Sequence, residues 1–208
     1  MTDPSEIQQG NVVLTFSAID FETANRHKGS ICAAGVVRVV DGKVEQQEVF
    51  YVRPAAELSE FEFWNTRVHG IRAADVASAP EWPDVYRDLR RIIGDDVVVA
   101  HNAAGADYPM MSQACALYDL AAPAMPVCTM KLAKRFLQLP SYRLPNVTEA
   151  LGIDAFDHHD AAADALAAAH VVLRLAEINQ ARSVEELVGL QPEGGVAARR
   201  RTVGYRSR

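Results

Sequence analysis

VVLTFSAIDFET, residues 12–23, is the stretch that decides the fold of this chain. Residues 12–20 are mostly β-branched, aromatic or small, which favours a strand. The stretch ends in two acids, Asp20 and Glu22, two positions apart. On a strand, residues i and i+2 share a face. Both carboxylates therefore point one way, and Ile19 and Phe21 point the other. Two acids on the edge of an apolar strand need compensation. A divalent cation such as Mg²⁺ or Mn²⁺ provides it and prefers oxygen donors. The plainer reading is a surface strand bearing two ordinary acids.

Outward from this strand, ICAAGVVRVV at 31–40 predicts a second strand. Asp41-Gly42 is a strong hairpin turn, and residues 44–52 return as a third strand that Pro54 stops. Gly35 marks either a bulge or a point of close packing. Residues 58–78 lack a clear period and read as short helical turns and loops. In EWPDVYRDLRRII, residues 81–93, apolar positions recur at helical spacing through Trp82, Val85 and Leu89. Pro83 suits the start of that helix and Gly94 its end. VVVA at 97–100 suits a buried parallel strand. Helices are expected at 107–118, 130–137 and 145–151, with a short strand at 126–128. The clearest helix, dense in alanine and leucine, runs from 160 to 178.

A hairpin pair followed by alternating helices and strands predicts an α/β fold: a mixed five-stranded sheet with helices on both faces. The expected layout is a polar lead at 1–11, a main domain at 12–180 and a short helix at 181–190. A tail at 191–208 follows, carrying Arg199, Arg200, Arg201, Arg206 and Arg208 and expected to be disordered.

Bulk composition is that of a globular protein, with 49% hydrophobic and 23% charged residues among 208. No apolar run is long enough to span a bilayer, and the polar start lacks the pattern of a signal peptide. Cys32, Cys115 and Cys128 show no metal-ligand spacing and read as reduced and structural. These features lead to the expectation of a cytoplasmic protein. A net charge of −6 argues against a broad basic surface for nucleic acid. Local cations remain to guide a strand: Lys131, Lys134, Arg135 and Arg143, and the tail.

Two further acids stand out. His101 and Asn102 follow VVVA at the carboxyl end of a strand, where open α/β sheets bind ligands. Asp107 then opens a helix, either as its N-cap or as a ligand. Asp164 interrupts the alanine-rich helix, and an acid in such a setting needs a partner. His159 stands five residues earlier. That is about 500° around a helix, so the two cooperate best with His159 in the lead-in loop. Asp160 is a candidate N-cap. Four acids and a histidine suit a two-metal site for phosphodiester cleavage.

AIDFET, HNAAGAD and HHDAAADA, in this order, resemble the three motifs of the DnaQ-like (DEDDh) exonuclease family. That family includes the proofreading epsilon subunit of bacterial DNA polymerase III and related DNA- and RNA-trimming enzymes. The resemblance spans about residues 12–178 and extends to Asn65-x-x-x-His69-Gly70-Ile71, similar to a family loop beside the nucleotide. It implies a ribonuclease H-like fold and metal-dependent 3′-to-5′ hydrolysis of single-stranded nucleic acid, DNA ahead of RNA, releasing nucleoside 5′-monophosphates. It implies that Asp20, Glu22, Asp107 and Asp164 hold two divalent cations, Mg²⁺ or Mn²⁺, with His159 as general base. Phe21, Thr23, Asn65, His69, His101 and Asn102 become candidate substrate contacts, although Phe21 also suits the core. The implied partner is a single-stranded or frayed 3′ end of DNA or RNA, with the protein a monomer or homodimer. Polymerase association is not readable from these residues. One departure matters: the family's middle motif runs His-Asn-Ala-x-Phe-Asp. HNAAGAD has one more residue and no phenylalanine, so Asp107 reaches the site only if the turn bulges. A different metal-dependent phosphoesterase and a non-catalytic nucleic-acid binder of the same fold are the competing readings.

Overall fold

The computed structural model describes residues 14–155 and 157–191. The polar lead, the first two residues of the predicted first strand and almost all of the arginine-rich tail lie outside them. The sheet has five strands: β1 (Phe16–Thr23), β2 (Ile31–Val40), β3 (Lys43–Tyr51), β4 (Val98–Ala100) and β5 (Val127–Cys128). Their order is β3-β2-β1-β4-β5. The first three pair antiparallel, whereas β4 and β5 run parallel to β1. Asp41 and Gly42 make the β2–β3 turn with φ of 49° and 74°, the positive pair that a type I′ turn requires.

Eight α-helices surround the sheet among the described residues: α1 (Phe63–His69), α2 (Ala73–Val76), α3 (Trp82–Ile93), α4 (Asp107–Ala116), α5 (Thr129–Phe136), α6 (Leu144–Ala150), α7 (Ala161–Asn179) and α8 (Val184–Gly189). Alternation along the strands divides the core in two. Phe16, Ala18, Val37 and Val39 pack with α5, α6, α7 and α8. Ile19, Phe21, Ile31 and Val36 pack with α3 and α4 through Trp82, Leu89 and Met111. Asp20 and Glu22 thus share the parity of Phe16 and Ala18, and Ile19 and Phe21 point the other way, as expected.

Gly35 is a packing point, not a bulge. Its register with Asp20 is unbroken, and the irregularities fall at Glu22/Thr23 and Arg38/Val39. A Cβ on Gly35 would lie 2.0 Å from the carbonyl oxygen of Ala161. The start of α7 rests on the sheet at this point. Asp160 caps α7 by accepting a 2.9 Å hydrogen bond from the Ala163 amide. Among the described residues, no helix is long and apolar enough to cross a membrane.

Candidate active site

Because β1 and β4 are parallel, their carboxyl ends meet at one edge of the sheet. Asp20 and Glu22 end one strand, and His101 and Asn102 leave the other. The first turn of α7 brings Asp164 to the same edge. Carboxylate oxygens of Asp20, Glu22 and Asp164 lie within 4.8 Å of one another, and ligand atoms of His158, His159 and Asp164 form a second such group. A cluster able to coordinate a divalent metal is therefore present. It opens into a cavity of about 560 Å³ that is also lined by His101, Asn102, Lys134, Tyr142 and Arg143.

Asp164 is 4% exposed despite its charge. Its oxygens lie 2.7 and 3.0 Å from His158 Nδ1, and the His159 amide donates to Oδ2 at 3.0 Å. His159 precedes α7, as expected, with a left-handed φ of 76°. Its ring stacks on that of His158 at 3.8 Å. His158 is a further site-lining residue, absent from the candidates read from the sequence. Its adjacency to His159 was the available signal.

Asp107 is 2% exposed. It is the first residue of α4, and Ala106 occupies the N-cap position, so capping is not its role. Its Oδ2 has no hydrogen-bond partner among the described residues. A buried carboxylate oxygen left this way is costly unless something else satisfies it. The longer middle motif does form a bulging turn: Asn102 adopts φ 64° and its carbonyl accepts from the Gly105 and Ala106 amides. Asp107 lies outside the 4.8 Å group, yet its charge acts on both Asp20 and Glu22.

Burial is the first cause of the electrostatic strain. It raises the Asp20 carboxyl well above its usual range, and Asp107, Asp164 and Glu22 add to the effect. Burial, then Asp164 and Asp107, push Glu22 up to about 8. Burial also pushes Asp107 up to about 7, although a backbone hydrogen bond and Lys28 oppose it. Clustered acids with hard oxygen donors and one orphaned oxygen fit divalent cations.

The candidate substrate contacts divide. Phe21 is 4% exposed and meets Trp82 edge-on at 5.9 Å. It lies on the far side of the sheet from the acids, which corrects its assignment as a substrate contact. Asn65 Nδ2 donates to the Thr23 carbonyl at 3.0 Å and to its hydroxyl at 3.2 Å. His69 Nε2 lies 3.1 Å from the same carbonyl, while its Nδ1 accepts from the Ile71 amide. These two side chains brace the end of β1. His101 uses both nitrogens internally, Nδ1 at 2.8 Å from Thr129 Oγ1 and Nε2 at 2.9 Å from the Tyr142 carbonyl. Burial lowers its pKa and favours the neutral ring. Asn102 is exposed at the cavity rim.

Comparison with known proteins agrees with this geometry. The exonuclease family RNase_T matches residues 17–172. A PolC-type DNA polymerase III of Thermotoga maritima is 29% identical over 178 residues, which are 83% of this chain and 13% of the polymerase. The chain thus spans about an eighth of that curated relative. Exonuclease X, solved in complex with 5′-overhanging duplex DNA, is 26% identical with a TM-score of 0.64, covering 79% of this chain and 93% of that one. The nuclease domain of a DEDDh family member bound to rAMP superimposes with a TM-score of 0.68 at 20% identity, over 81% of this chain and 94% of that one. At that identity the likeness concerns the fold.

Proposed function

The chain belongs to the DEDDh, RNase_T-like family of 3′–5′ exonucleases, and we propose that it hydrolyses single-stranded or frayed 3′ ends to nucleoside 5′-monophosphates, DNA ahead of RNA. The observation that carries this reading is the meeting of Asp20, Glu22 and Asp164 within 4.8 Å beside two histidines.

Asp20, Glu22, Asp107 and Asp164 would hold two divalent cations, Mg²⁺ or Mn²⁺. Bound cations supply an activated water and neutralise charge on the phosphate and the leaving 3′ oxygen. His159 is the general base. Burial, followed by the neighbouring His158, lowers its pKa below the ordinary imidazole value, so it is neutral and ready to accept a proton near pH 7. Its place in the lead-in to α7, beside Asp164, suits that role. Thr23, held by Asn65 and His69, is set to meet the terminal sugar at the end of β1. Asn102 flanks the cavity.

The test is product identification by mass spectrometry on matched DNA and RNA oligonucleotides bearing free or phosphate-blocked 3′ ends. Nucleoside 5′-monophosphates released only from free ends support the reading. Internal fragments, or equal cleavage of blocked ends, would point to another phosphoesterase. Binding without cleavage would favour the non-catalytic binder.

A further inference from the structure

We propose that Lys134 and Arg143 form a phosphate-binding wall for the nucleotide upstream of the scissile bond. The proposal rests on the exonuclease reading above and gives it a strand path. The cavity that holds Asp20, Glu22 and Asp164 continues to Lys134, at the end of α5, and to Ser141, Tyr142 and Arg143 before α6. Its volume of about 560 Å³ falls within the range of sites for sizeable small-molecule ligands. One part of its lining offers carboxylates, and another offers two exposed cations.

Four cations near this region stood out in the sequence, and the structure separates them. Arg135 is engaged with the carbonyls of Val188 and Leu190, tying α5 to the end of α8. Lys131 is exposed and does not line the cavity. Lys134 and Arg143 do line it, and neither forms an ion pair with a carboxylate among the described residues. Lys28, not either of these two, is the cation that opposes the raised Asp107 carboxyl. Both cations therefore line the same cavity as the acids without an ion pair to a carboxylate among the described residues.

The wall is also held in place. The Tyr142 hydroxyl donates to the Leu137 carbonyl at 3.0 Å and accepts from the Leu139 amide at 3.3 Å. Lys134 Nζ sits 5.7 Å from the centre of the Tyr142 ring, a favourable cation–π placement. His101 joins this turn to the carboxyl end of β4 through the Tyr142 carbonyl. That bond ties the turn before Arg143 to the strand end beside the acids. A strand whose scissile phosphate lies at the acids would present its next phosphate to these cations. Phosphate contact by Lys and Arg gives affinity without reading the bases.

The test compares Lys134→Gln, Arg143→Gln and the double variant on two substrates. One is a fluorescent ten-residue oligothymidylate. The other is the p-nitrophenyl ester of thymidine 5′-monophosphate, which has a scissile bond and no upstream phosphate. On the oligonucleotide, kcat/KM should fall about tenfold per substitution, mainly through KM, and Lys134→Arg and Arg143→Lys should restore most of it. On the ester, the loss should stay within about twofold. In an Asp164→Asn background, the slope of log Kd against log salt should shrink by about 0.7 for each contact removed. Equal losses on both substrates, or an unchanged salt slope, would overturn the proposal. If the unsubstituted protein cleaves neither substrate, the exonuclease reading fails, and the salt slope alone decides whether the wall binds phosphate.

Discussion

Gly35 lies directly beneath Ala161: a Cβ at position 35 would stand 2.0 Å from the Ala161 carbonyl oxygen and 2.3 Å from its carbon. Gly35 is also the register partner of Asp20. One contact therefore sets how far the start of α7 stands above the strand that carries the first two acids. Asp164 follows one turn later. A methyl group here meets backbone and has no flexible side chain to displace. Gly35→Ala should lower stability by about 1–3 kcal/mol, the usual range for overpacking. It should also lower kcat/KM by about 100-fold, because small displacements of reacting groups are costly. Denaturant midpoints and steady-state rates check both. Unchanged values would show that α7 is free to lift.

The acids make the metal-free protein sensitive to pH. Glu22 and Asp107 are pushed up to about 8 and about 7 in the folded state, above ordinary carboxylate values. The folded protein therefore holds protons that the unfolded chain releases. This contribution to stability is full below about pH 4, where both states are protonated, and is lost as pH rises through about 7–8. In EDTA the melting temperature should fall between pH 5 and pH 8.5, by several degrees. The fall should be smaller in Glu22→Gln and in Asp107→Asn. Saturating Mn²⁺ should raise the melting temperature more at pH 8 than at pH 5. Differential scanning fluorimetry measures all three. A flat profile in EDTA would contradict the electrostatic reading.

Asp107→Asn separates function from stability. The substitution removes a buried charge whose Oδ2 lacks a partner among the described residues. Without metal, at pH 8, the variant should be more stable than the parent by about 1 kcal/mol or more, the scale of an unsatisfied buried group. Its activity should nevertheless fall at least 100-fold. Chemical denaturation paired with rate measurement distinguishes this from a simple folding defect. A variant that is both less stable and fully active would remove Asp107 from the site.

The adjacent histidines should differ in their effects. His159→Ala should lower kcat by 100- to 10,000-fold, the usual contribution of a general base, and abolish the acidic limb of the rate profile. In the parent that limb should fall below pH 6.5, since burial and His158 lower the His159 pKa. His158→Ala should cost less than tenfold and retain the limb, because His158 Nδ1 contacts Asp164 at 2.7 Å in a supporting arrangement. The reverse pattern would exchange their roles.

Much of this was legible in the chain. The alternation in FSAIDFET separates the acids from Ile19 and Phe21, and Asp41-Gly42 defines the hairpin. The strands β4 and β5 are only three and two residues long, so their parallel pairing rests on tertiary contacts. Helix α1 falls among the short helical turns expected at 58–78, but its bounds were not legible because Phe63, Trp64 and Val68 are exposed. It has no apolar face toward the core to create a period. Asn65 and His69 hold it instead through Thr23. His101 looked like a substrate contact because of its strand-end position. Its partners, Thr129 and Tyr142, are 28 and 41 residues away, beyond any local signal. The same distance in sequence concealed which cations share the cavity with the acids.

Metal-dependent removal of nucleotides from the 3′ end is the reaction proposed for the Asp20, Glu22, Asp107 and Asp164 site. Its most direct test is a gel time course on 5′-labelled single-stranded DNA and RNA, with Mg²⁺, Mn²⁺ and EDTA arms and Asp164→Asn alongside. The expected result is a ladder shortening one nucleotide at a time from the 3′ end, absent in EDTA and in the variant. A label released at once as mononucleotide, an unshortened substrate with folded protein and either metal, or an equally active Asp164→Asn would contradict it.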